Sequence, residues 1–74
     1  MKQTQEFNKA NPHWWVLKLP NAKWISVYPQ ENKWGIFHQL GGGQIVPVAN
    51  GTSNSPEEAC SESIQEAKIK GFLN

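Results

Sequence analysis

Three clusters of turn formers, Pro20-Asn21-Ala22, Pro29-Gln30-Glu31-Asn32 and Gly41-Gly42-Gly43, cut the stretch from His13 to Ala49 into short runs rich in aromatic and β-branched residues. Runs of that kind form strands, and turns this short join antiparallel neighbours. The pattern predicts strands over 13–19, 23–28, 33–40 and 44–49. Pro47 has no amide hydrogen to give to a ladder, so the fourth strand should lie at an edge or be irregular. The segment from Ala49 to Asn54 reads as loop. Its Asn50-Gly51-Thr52 matches a glycosylation pattern but is more simply a turn.

Residues paired across an antiparallel ladder point to the same face, so the turns fix a register. Pairing Leu17 with Ile25, Trp15 with Val27, Ile25 with Ile36 and Val27 with Trp34 collects Trp15, Leu17, Leu19, Ile25, Val27, Trp34 and Ile36 on one side. That side is the expected core. The opposite side receives Trp14, Val16, Lys18, Trp24, Ser26, Tyr28, Lys33, Gly35 and Phe37.

Beyond the strands, Ser55-Pro56-Glu57-Glu58 starts a helix: an N-cap serine, proline at the first helical position and glutamate three residues after the cap. Cys60, Ile64, Ala67 and Gly71 recur at helical spacing and form the expected apolar stripe, with Gly71 as terminator. Ile69 points away from it. The expected fold class is therefore α+β: a three- to four-stranded antiparallel meander with one C-terminal helix on one face. Residues 13–74 form the domain. Residues 1–12, polar and rich in Gln and Asn, read as a flexible N-terminal arm or a weakly held edge, anchored by Phe7.

A 74-residue chain buries only about 60% of its unfolded surface, which leaves little room for an enclosed catalytic cleft. Four tryptophans, three phenylalanines and Tyr28 supply the missing apolar bulk. Cys60 is the sole cysteine, which excludes an internal disulfide and fits a reducing compartment. No signal segment or membrane-length apolar run is evident, and the expected location is the cytoplasm.

The inventory of reactive groups is thin. His13, His38 and Cys60 are the main candidates, Cys60 reads as a small buried hydrophobe, and two histidines do not make a metal site. Gly41-Gly42-Gly43 lacks the lysine and following helix of a phosphate loop. The expectation is no catalytic residue, no metal and no cofactor.

What stands out is the second face. Trp14, Trp24, Tyr28 and Phe37, interleaved with Lys18, Lys23 and Lys33, would expose an apolar patch unless something covers it. Phe7 and the arm could fold across it, and an aromatic could lie over Gly35. Otherwise it is a binding surface, with Trp14, Lys18, Trp24, Tyr28, Lys33 and Phe37 as its residues.

The order of features from about residue 14 to residue 70 resembles small families built as a three-stranded sheet followed by a helix. In the arm-binding domain of phage-type integrases and the plant ethylene-response DNA-binding domain, a W-G-x-F-type strand precedes a T/S-x-x-E-A helix. Here Trp34-Gly35-Ile36-Phe37 and Ser55-Pro56-Glu57-Glu58-Ala59 take those places. Short bacterial proteins of unknown function resemble it in the same way. The resemblance implies DNA contacts through Lys18, Lys23, Trp24, Lys33 and Trp34. This chain departs by inserting Gly41 to Asn54 and by having no arginine, the commonest reader of guanine.

The expected function is a non-enzymatic interaction module that binds a protein partner or itself, of the build seen in phage or mobile-element accessory proteins. The alternative is a weak, largely sequence-independent nucleic-acid binder.

Overall fold

The computed structural model describes residues 6–73. Five antiparallel strands in sequential order, β1 (Asn8–Asn11), β2 (Trp14–Leu19), β3 (Lys23–Tyr28), β4 (Lys33–Gln39) and β5 (Ile45–Thr52), precede one helix, α1 (Pro56–Ile69). The class is α+β, as the strand runs and helix start require.

The central register is the one the turns dictate: Trp15 opposite Val27, Leu17 opposite Ile25, Ile25 opposite Ile36 and Val27 opposite Trp34. Two left-handed residues, Asn21 and Ala22, close the first of these hairpins, and Asn32 closes the second. Ile25, Val27 and Ile36 are fully buried beneath α1, with Leu17, Leu19 and Trp34 beside them. Trp15 is half-buried at the margin, with the Lys9 ammonium 4.4 Å from its ring centre.

The sheet's edges extend further than the strand runs indicate. Of the two readings of the N-terminal segment, flexible arm or weakly held edge, Asn8–Asn11 takes the second: it is an exposed edge strand on β2 with a register shift. Residues 1–5 of that arm lie outside the described residues. The stretch read as loop after Ala49 is strand as far as Thr52, so Asn50-Gly51-Thr52 is no turn. Pro47 does lie on an edge strand, and the ladder beside it skips Val48, so that Ile36 faces Ala49 while Phe37 faces Pro47.

Gly51 is required for packing. A Cβ there would fall 2.6 Å from Trp34 Cζ2, so the indole can lie across β5 only because the side chain is absent. Trp34 Nε1 is buried with no acceptor among the described residues.

The helix begins as expected. Ser55 Oγ accepts from the Glu58 amide at 3.1 Å, and the Glu58 carboxylate accepts from the Asn54 amide at 3.1 Å. It ends in a Schellman motif: the Phe72 amide donates to Ala67 O and the Gly71 amide to Lys68 O, with Gly71 at φ 78°. Its facing stripe differs from the expected one. Ala59, Ser63 and Ala67 are fully buried, whereas Cys60 and Ile64 flank them and Gly71 is exposed. Small residues let the helix backbone approach a sheet already crowded with large side chains, and Ser63 Oγ stays satisfied by donating to Cys60 O at 3.0 Å.

Candidate binding face

The side of the sheet away from α1 is ordered in three cross-strand rows, because residues two apart on a strand share a face and partners lie side by side. The middle row has no aromatic or charged residue: Val16, Ser26, Gly35 and Asn50. One flanking row holds Lys18, Trp24, Phe37 and Pro47. The other holds Tyr28, Lys33 and Thr52, with Trp14 at its β2 end. All six residues expected to bind, Trp14, Lys18, Trp24, Tyr28, Lys33 and Phe37, are therefore brought onto one face. Lys23 is in register with core-side residues and its ammonium lies 4.9 Å from the Phe72 ring centre, so it borders the face only at the end of the β2–β3 hairpin.

The aromatic rings are held in place by the middle row. Trp14 Nε1 donates to Ser26 Oγ at 2.9 Å, which fixes the indole although 45% of the residue stays exposed. Phe37 leans over Gly35, where a Cβ would meet its ring at 3.0 Å, as an aromatic beside a strand glycine was expected to do. Phe37 also stacks on Trp24, with ring centres 5.8 Å apart. Between these rings lie two depressions. One, of about 370 Å³, is bordered by Trp14, Val16, Lys18 and Trp24. The other, of about 480 Å³, is bordered by Tyr28, Lys33, Gly35, Phe37, Asn50 and Thr52.

Phe7 does not cover this face. It packs against the core cluster on the helix side, beside Lys9, Cys60 and Ile64. Cys60 is half-buried there, and its burial pushes the thiol pKa up, opposed by the nearby Lys9 ammonium and reinforced by Glu57.

The carboxylates gather on the helix side, but the lysines do not sort the same way: Lys9, Lys23, Lys68 and Lys70 are there as well. Glu57, Glu58, Glu62 and Glu66 are on α1, and Glu6 borders the hollow by Cys60. Glu31 is the one carboxylate bordering the aromatic face among the described residues, where it pairs with Lys33 at 3.7 Å. Sequence reasoning missed Asn50 and Thr52 as part of the face, because Asn50-Gly51 reads as a turn and hides the strand preference of Thr52.

Among the described residues, no three His, Cys, Asp or Glu side chains converge, and no helix is long and apolar enough to cross a membrane. Among the described residues, the fold and face together define a small α+β domain with a helix-covered core on one side of its sheet and an uncovered aromatic face on the other. No family model matches the chain, nor does any curated protein or solved structure.

Proposed function

We propose that this domain is a non-enzymatic interaction module that binds a protein through Trp14, Lys18, Trp24, Tyr28, Lys33 and Phe37. The observation that carries the reading is Trp14: a large aromatic left 45% exposed, yet fixed by a hydrogen bond to Ser26. An indole held rigid and half open loses little conformational freedom on contact, which is what interface anchors provide. Self-association through this face would set Lys18 and Lys33 of two copies against each other with, among the described residues, Glu31 alone from each to compensate, so a different protein fits better.

The rival ligand is nucleic acid, which the same lysines and rings could hold by phosphate contact and stacking. Titrating the intact chain with labelled single- and double-stranded DNA at about 50 and 200 mM salt separates the two, because phosphate-driven binding collapses over that range. No saturable DNA binding at either salt concentration is the expected result, whereas saturable binding at about 50 mM that collapses at about 200 mM would favour the nucleic-acid reading. Tight binding that Trp14→Ala abolishes would replace the protein-binding reading with the nucleic-acid one.

A further inference from the structure

Of the chain's asparagines, Asn50 alone stands directly before a glycine. An asparagine side-chain carbonyl can be attacked by the amide nitrogen of the next residue, and glycine hinders that approach least because it has no Cβ. Packing explains why the pair exists. Trp34 lies so close to the backbone at 51 that a side chain there would overlap its ring. The core thus demands glycine directly after a residue that is exposed on the open face.

Strand pairing decides whether the attack can occur. The Ser53 amide donates to Asn32 O at 2.7 Å. Hydrogen-bonded pairs recur at every second position of an antiparallel ladder, and the register steps from there through Lys33 and Thr52 to Trp34 and Gly51. The Gly51 amide is therefore turned toward β4 and committed to its ladder. The alternation along β4 agrees: the Gln39 amide donates the other way, to Ala22 O at 2.9 Å, which leaves even-numbered residues such as Trp34 facing β5. To reach Asn50 Cγ, the Gly51 nitrogen must give up its ladder bond and turn out of the strand. The end of β5 is where that can happen, since β5 has a neighbour on one side only and its ladder is already broken at Val48.

We infer that Asn50 is a self-modification site that the sheet holds shut and that opens when the end of β5 leaves β4. The bond from Gly51 N to Asn50 Cγ forms, the bond from Cγ to Nδ2 breaks, and Nδ2 leaves as ammonia with the former Gly51 amide proton. Water then opens the cyclic imide, adding its hydroxyl to one carbonyl and its hydrogen to the ring nitrogen. Opening at Cγ gives aspartate, and opening at the main-chain carbonyl gives isoaspartate. Aspartate leaves the strand intact and sets a carboxylate opposite Gly35 and diagonal to Lys33. Isoaspartate routes the main chain through Cβ and Cγ, so Gly51 can no longer lie both opposite Trp34 and against its ring. A chain marked in this way cannot close β5 in register again, and one opening becomes irreversible.

The test follows Asn50 by mass spectrometry of proteolytic peptides after incubating the intact protein at mildly alkaline pH, in buffer and in urea above its unfolding midpoint. A synthetic peptide of residues 47–53 sets the unprotected rate in each solvent. In urea, Asn50 should convert faster than any other asparagine and at the rate of the peptide. In buffer it should convert at least about tenfold more slowly than the peptide, because attack proceeds only from the open fraction. The isoaspartyl product, purified and returned to buffer, should unfold at lower urea than the parent, whereas Asn50→Asp should match the parent. Equal rates for protein and peptide in buffer, or faster conversion at another asparagine in urea, would overturn the inference. So would an isoaspartyl product that unfolds at the same urea concentration as Asn50→Asp.

Discussion

Gly51→Ala is the sharpest test of how the core is closed. The added methyl would sit 2.6, 2.7 and 2.8 Å from Cζ2, Cε2 and Nε1 of Trp34, well inside van der Waals contact. The indole cannot swing aside freely, because Trp34 is 8% exposed and wedged beside Val27 in the ladder. Overpacking of this kind costs about 1–3 kcal/mol. Gly51 has no left-handed backbone to protect, and alanine in a strand recovers roughly 0.5–1 kcal/mol of chain entropy. Contacts this short around a wedged ring put the overpacking in the upper half of its range, about 2–3 kcal/mol, so the net loss should be about 1–2.5 kcal/mol. With a urea slope of about 1 kcal/mol/M for a small domain, the unfolding midpoint read by tryptophan fluorescence should fall by roughly 1–2.5 M. Gly35→Ala is the internal control. Its methyl would meet only the far edge of the Phe37 ring at 3.0 Å on the open face, where the ring can tilt, so the loss should stay below about 1 kcal/mol. A Gly51→Ala midpoint equal to or above the parent's would refute the placement of Trp34 across β5.

Other perturbations report on other elements. Ser55→Ala removes the acceptor of the Glu58 amide and should cost about 1 kcal/mol in urea unfolding; an unchanged midpoint would move the helix start. Ala22→Gly should stabilise the domain by about 0.5–1 kcal/mol in the same assay, because alanine at φ 59° is strained and glycine is not. Burial raises the folded Cys60 pKa, so the stabilisation tied to its neutral thiol is full below the unfolded-chain pKa and is lost as pH rises through the folded one. Iodoacetamide labelling of the native protein should accordingly show its pH-rate midpoint above that of the urea-unfolded chain.

The middle of the sheet was legible because local chemistry and global packing agree there: each turn cluster forces a pairing, and the pairing sorts Ile25, Val27, Ile36 and Trp34 onto one face. Ser55 and its glutamates likewise announce the helix without tertiary help. Elsewhere the deciding information is nonlocal. Asn8–Asn11 and Asn50–Thr52 become strand through the neighbours they pair with, since asparagine and glycine have no strand preference. The helix stripe shifted for a related reason. Hydropathy selects Cys60 and Ile64, but the close approach to a sheet of large residues selects Ala59 and Ser63. On the aromatic face, the residue set followed from strand alternation, while the two slots did not. They depend on Trp14 reaching Ser26 and on Phe37 leaning over Gly35.

The four indole N–H signals in a nitrogen–proton correlation spectrum give one reporter pair for each side of the sheet. Trp14 and Trp24 belong to the open face, and Trp15 and Trp34 to the helix-covered core. When a soluble nitroxide is titrated into the labelled chain, the signal of Trp14, 45% exposed, should broaden first, while that of Trp34, 8% exposed, keeps its intensity. Broadening of the Trp34 signal ahead of that of Trp14 would contradict the assignment of the open aromatic face as the accessible binding surface.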